Sequence, residues 1–112
     1  MNFIHAIASK MYRSVKPVRD AAYMAYIRQF PCIGCGTTRR PREAKHIGPH
    51  GMGQKASDLG TLPGCHLCHM ELHAIGSKNW QRKHRVDFRE RIEFFQYLYS
   101  VEFPERTNQE AA

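Results

Sequence analysis

The chain has 112 residues and carries 17 Lys and Arg against 10 Asp and Glu, a formal charge of +7 with His neutral. A single domain of this length buries only about two thirds of its unfolded surface, so a staple such as a bound metal would help it fold. No apolar run is long enough to cross a bilayer, the stretch Phe3 to Ser9 is too short and polar for a secretory signal, and the cation excess favours a polyanionic partner over a membrane.

Phe3, Ile4, Ile7 and Met11 recur at helical spacing and predict a short amphipathic helix, or a tail that orders against a partner. Pro17 at a first helical position, with Asp20 in the first turn, predicts a second helix running to about Gln29, which gives N-terminal helices over 1–30. Pro31 stops it and delivers the chain into Cys32-Ile33-Gly34-Cys35-Gly36, whose glycines permit a tight knuckle. Thr37 to Glu43 is polar and carries Arg39, Arg40 and Arg42, which reads equally as a solvated turn or as a set of phosphate contacts.

Ala44 to Ile47 predicts a short strand, Gly48 to Gly60 a glycine-rich loop with His50, Gln54, Lys55, Ser57 and Asp58, and Thr61 to Pro63 a returning strand. The stretch Cys65-His66-Leu67-Cys68-His69-Met70-Glu71-Leu72-His73 predicts a helix closed by Gly76 in a left-handed cap. Ser77 is expected to cap a short helix containing Trp80, and another helix begins near Val86. In it Phe88, Ile92, Phe95 and Tyr99 follow i, i+4, i+7, i+11, a core stripe rather than a stacking platform. Pro104 ends the pattern and 104–112 reads as a polar, disordered tail. The organisation expected is one domain, with a core at 32–76 and C-terminal helices over 77–101.

Two chemical sets stand out. Cys32-x-x-Cys35 and Cys65-x-x-Cys68 offer four soft ligands, which suit one zinc in a closed, structural tetrahedron. With no secretory signal expected, a reducing compartment makes zinc the first reading ahead of disulfides, an iron–sulfur site or redox thiols. His69 and His73 lie four apart, so they project from one helical face toward a different point, where they could hold a second ion.

From Cys32 to His73 the pattern is Cys-x-x-Cys, Ala-x-His-Ile-Gly, a glycine-rich loop, Lys-x-x-Asp and Cys-x-x-Cys-His-x-x-x-His-x-x-Gly. It resembles the HNH endonucleases in their zinc-stabilised ββα-metal subgroup, and is most similar to the small HNH proteins of phages and prophages. The resemblance implies an α+β fold, with a treble-clef-like ββα-metal core, a structural Zn2+ and flanking helices. It also implies DNA as substrate and a cytoplasmic setting in a bacterium or phage-infected host; a partner such as a recombination or packaging protein is compatible with it but is not read from these residues. It makes His46 the general base, an imidazole being suited to take a proton at neutral pH. Asp58 falls near the family's middle Asn position, which steadies the loop and orients the base. His69 and His73 match the positions that hold the catalytic divalent ion, whether Mg2+, Mn2+, Ni2+ or Zn2+.

Arg39, Arg40, Arg42, Lys45 and Lys55 are the expected contacts to the nucleic-acid backbone. One residue departs from the family. The position before the base is a metal ligand there, commonly His or Asp, and here it is Lys45, whose ammonium cannot ligate while protonated. His50 and His66 are candidate replacements. Two rival readings follow: a DNA-binding zinc module that has lost catalysis, and a protein-interaction module whose charge is incidental.

Overall fold

The computed structural model describes residues 18–47 and 57–106. The predicted helix at Phe3 to Met11, Pro17, the loop residues His50, Gln54 and Lys55, and the tail from residue 107 lie outside them. The first helix, α1, spans Ala21–Ile27, and it starts four residues later than Pro17. The cause is a long-range clamp: Val18 N–H donates to Ser57 Oγ (3.3 Å), Asp58 N–H to the Val18 carbonyl (2.9 Å) and Asp20 N–H to Asp58 Oδ2 (2.7 Å). Held extended at φ −147°, Asp20 becomes the N-cap, its carboxylate accepting Tyr23 N–H at 2.9 Å.

Two strands follow, β1 at Arg42–His46 and β2 at Thr61–Cys65, with a 3-10 turn at Asp58–Gly60 leading into the second. They pair antiparallel, with Arg42 opposite Cys65 and His46 opposite Thr61. All of β2 is buried, because the knuckle docks on it through Ile33 N–H to the Pro63 carbonyl (3.0 Å). Among the described residues three longer helices follow and make the fold α+β: α2 at His66–Ile75, α3 at Ser77–His84 and α4 at Phe88–Glu102. Among the described residues no helix is long and apolar enough to cross a membrane.

The expected stripe Phe88, Ile92, Phe95 and Tyr99 is buried and packs α4 onto α1. Tyr99 meets Tyr23 edge-on at 4.9 Å between ring centres and Tyr26 at 5.1 Å, and buried Gln96 donates to the Leu59 carbonyl at 2.7 Å. Asp87 caps α4 by accepting Glu90 N–H at 3.1 Å.

Three local expectations are corrected. Gly76 has the positive φ that favours glycine (85°), but its ψ of 158° is extended, so it is no left-handed helical cap. Instead it is the single residue between α2 and α3, and it, not Ser77, is the N-cap of α3. The tail is tied down at its start: residues 104–106 are helical, with Arg106 Nη1 3.2 Å from Tyr99 Oη and the guanidinium 4.3 Å over the Phe103 ring.

Candidate functional site

The four cysteines come from three elements. Cys32 and Cys35 sit on the knuckle after α1, Cys65 ends β2 and caps α2, and Cys68 lies in the first turn of α2. All four are free, and their sulfurs lie within 4.8 Å of one another. Cys35 Sγ and Cys65 Sγ are 3.8 Å apart. Thiolates about 2.3 Å from a shared tetrahedral ion would be separated by roughly 3.8 Å, so the set fits one such metal and leaves it no open position.

The surroundings favour thiolates at Cys32 and Cys65, while burial and then the neighbouring sulfurs push the Cys68 thiol up. Gly34 and Cys65 each point a backbone N–H at Cys32 Sγ (3.4 Å), and Arg40 Nη2 lies 3.3 Å from Cys35 Sγ. Burial acts to raise the Cys65 thiol, but the Cys68 backbone N–H, the Arg40 guanidinium and the neighbouring thiols bring it down to about 6. Gly34 is required by space, since a β-carbon there would come 2.7 Å from the Trp80 ring and 2.8 Å from Cys68 Sγ.

The arginine run serves this centre. Arg42 donates to the carbonyls of Phe30 (3.1 Å), Thr38 (2.8 Å) and Arg40 (3.0 Å), closing the knuckle on itself. With Arg40 turned to the thiolates, two of the three residues expected at a phosphate backbone have work inside the fold. Arg39 gives its backbone N–H to Thr37 Oγ1 at 3.2 Å.

On the hairpin, His46 Nε2 lies 2.7 Å from Asp58 Oδ1. Asp58 is buried, and it also accepts from Arg19 Nη1 (3.2 Å) and from Asp20 N–H (2.7 Å). Burial would raise its carboxyl, but His46, the Asp20 amide and Arg19 together hold it below the usual carboxylate range. An ionised carboxylate only accepts, so the shared proton sits on Nε2 and Nδ1 is left as an acceptor. The His46 side chain is 31% exposed, enough for a small molecule to reach it.

On α2, His69 Nε2 and His73 Nε2 are 3.0 Å apart, and the rings cross at 88°. That separation suits one shared proton, and it also suits two ligands about 2.1 Å from one ion. His69 Nδ1 is buried without a hydrogen-bond partner. Burial, then the positive charges of Lys45 and His73, push His69 below its ordinary value. Successive strand residues face opposite sides, so Lys45 is turned toward His69 while His46 is turned to Asp58.

Lys45 Nζ pairs with Glu43 Oε1 at 2.7 Å, and that pairing holds the Glu43 carboxyl low. Glu43 escaped the sequence reading, although its place two residues before Lys45 on a strand puts both on one face. His66 and Glu43 act on His69 electrostatically but do not join it and His73 in a cluster of three donors. Among the described residues, only the four cysteines form such a cluster.

A family model described as Protein of unknown function (DUF968) matches residues 10–101, a span that takes in the four cysteines, His46, Asp58, His69 and His73. No curated protein and no solved structure matches the chain.

Proposed function

We propose that the chain, which belongs to the family described as Protein of unknown function (DUF968), is a DNA endonuclease built on a zinc-stapled, HNH-like ββα-metal core. The observation that carries this reading is the His46 to Asp58 hydrogen bond of 2.7 Å, which leaves the other nitrogen of a partly exposed ring to accept a proton. In the reaction, His46 Nδ1 takes a proton from the water that attacks the phosphodiester. Asp58 holds the ring in the required tautomer and stabilises the imidazolium that forms. Arg19 and the Asp20 amide keep Asp58 ionised for that purpose.

The residues that would hold a second divalent ion are His69 and His73, where it would polarise the phosphate and stabilise the departing oxygen. Two imidazoles suit Mn2+, Ni2+ or Zn2+ better than Mg2+. Lys45 stands beside His69 and can offer its ammonium to a phosphate oxygen. Cys32, Cys35, Cys65 and Cys68 would hold a structural zinc, and four protein ligands would leave it no role in the chemistry.

The test is cleavage of supercoiled plasmid by purified protein with each divalent ion, beside His46→Ala. Cleavage that disappears in the variant supports the assignment, and cleavage that survives it removes His46 from the mechanism. A second reading, a zinc module that binds DNA without cutting it, is favoured by Lys45 standing in the ligand position and paired with Glu43. It expects salt-dependent DNA binding and no cleavage with any ion.

A further inference from the structure

Arg40 and Arg42 are held to groups of the knuckle, and a further run of positive charge for a DNA duplex to meet is offered by α3. Its rotation is fixed: Trp80 is buried with Nε1–H on the Cys68 carbonyl (3.2 Å), while Glu71 of α2 takes His84 Nε2 at 2.5 Å and also Lys83. Lys78 and Arg82, at i and i+4, share the side of α3 away from Trp80, and Arg85 follows just past the helix end, all three exposed. The sequence has no Asp or Glu between Glu71 and Asp87, and among the described residues none of the three has an ion-pair partner.

Two features set this stripe apart from an ordinary solvated face. Lys78 lies in the first turn of α3, which holds no acidic residue, and a cation there opposes the helix dipole. Arg85 closes the helix at φ 55°, ψ 46°, the left-handed conformation in which glycine is the favoured residue. The dipole disfavours a cation at Lys78 and the backbone disfavours a side chain at Arg85, yet both positions carry an exposed cation.

We infer that Lys78, Arg82 and Arg85 form the surface that grips the phosphate backbone of duplex DNA. This rests on the proposed DNA substrate and says where the chain holds it. From Lys78 to Arg85 the helix advances roughly 10 Å, the rise over which one strand of a duplex presents about three phosphates. Tied to α2 by Glu71 and by the single residue Gly76, α3 holds DNA on the same rigid helix pair that carries His69 and His73.

The experiment measures binding of a short duplex against salt concentration, in a His46→Ala background so that the DNA stays intact. Changing Lys78, Arg82 and Arg85 together to Gln should flatten the slope of log K against log salt by roughly two to three. Changing Arg28 and Arg91 to Gln, exposed cations on other helices, should leave it nearly unchanged. Arg85→Gly should raise the melting temperature while weakening DNA binding, a pairing that a purely structural role cannot give.

A parent that binds DNA steeply and a triple variant with the same slope would overturn this surface and leave the endonuclease reading standing. Equal losses in the Arg28 and Arg91 variant would overturn it as well, since the effect would then be one of net charge. A parent that binds no duplex at any salt would remove both proposals together. A triple variant that loses only adhesion to vesicles of anionic phospholipid, while keeping DNA, would assign the stripe to a membrane surface and overturn the inference.

Discussion

The indole Nε1–H of Trp80 donates to the backbone carbonyl of Cys68 at 3.2 Å, so the helix after the cysteine centre is bonded to the turn that supplies one of its ligands. The ring also lies where any side chain on Gly34 would strike, which brings the knuckle into the same contact. Knuckle, α2 and α3 therefore meet at one point beside the metal position, and loss of the metal should be felt in all three.

One zinc per chain is expected to co-purify, and its removal should abolish the cooperative thermal transition. Structural zinc in small finger peptides contributes on the order of 10 kcal/mol, comparable to the whole net stability of a domain of this size. Elemental analysis together with melts before and after a strong chelator checks this. A metal-free protein that still melts cooperatively at the same temperature would remove the claim.

Gly34→Ala should destabilise the fold by about 1–3 kcal/mol, because the added methyl has to displace the Trp80 ring or the Cys68 thiolate. Denaturant titration of the zinc-loaded protein reads the loss. A parallel measurement of zinc affinity should weaken too, since one of the two displaced groups is a ligand.

His46→Ala should lower the cleavage rate by about 10²–10⁴-fold while DNA affinity and zinc content stay close to those of the parent. Single-turnover cleavage and equilibrium binding on the same preparation separate the two effects. A fall in affinity as large as the fall in rate would make His46 a binding residue.

Asp58 predicts an acid-side loss of stability. Its folded carboxyl lies below the usual value, so it stabilises the native state above the ordinary carboxylate range, and the contribution fades as pH falls through the folded value. Asp58→Asn should therefore cost on the order of 1–3 kcal/mol at neutral pH, with the gap to the parent narrowing on acidification. Taking the difference between the two proteins cancels the acid release of metal that both share. A gap that stays constant from neutral to acid would show that Asp58 acts through shape alone.

Lys45→His should place a third imidazole beside His69 and tighten binding of a second divalent ion on zinc-loaded protein, read by calorimetry. Unchanged affinity would mean that Lys45 does not stand where a ligand would, and that its part, if any, is with the phosphate.

What could be read from the chain alone was what local spacing determines. The paired C-x-x-C motifs, the His69 to His73 interval and the stripe Phe88, Ile92, Phe95, Tyr99 are each fixed by a few consecutive turns or by ligand chemistry. The true start of α1 was hidden because it depends on Asp58, 38 positions away, capturing the Asp20 amide. Arg40 and Arg42 looked available for phosphate because a charge run does not reveal which carbonyls and sulfurs fold back upon it. The Glu43 to Lys45 pair is visible only once residues 42–46 are known to be extended, which sets the two side chains on one face.

The pairing of Arg42 with Cys65 has a further consequence. A slip of one residue along the hairpin would turn every side chain of β1 to the other face and shift Cys32 and Cys35 against Cys65 and Cys68. The cysteine set thus acts as a lock on register at the end of the ladder farthest from the connecting segment. Hairpins commonly depend on their turn for alignment, and this one has a second constraint at its other end. Insertions or exchanges between residues 47 and 57 should therefore leave the strands in step. Closing a longer segment adds only about 0.6 kcal/mol per doubling. Diversity among relatives of this chain should accordingly collect in that segment, with the ladder between Arg42 and Cys65 kept unchanged in length.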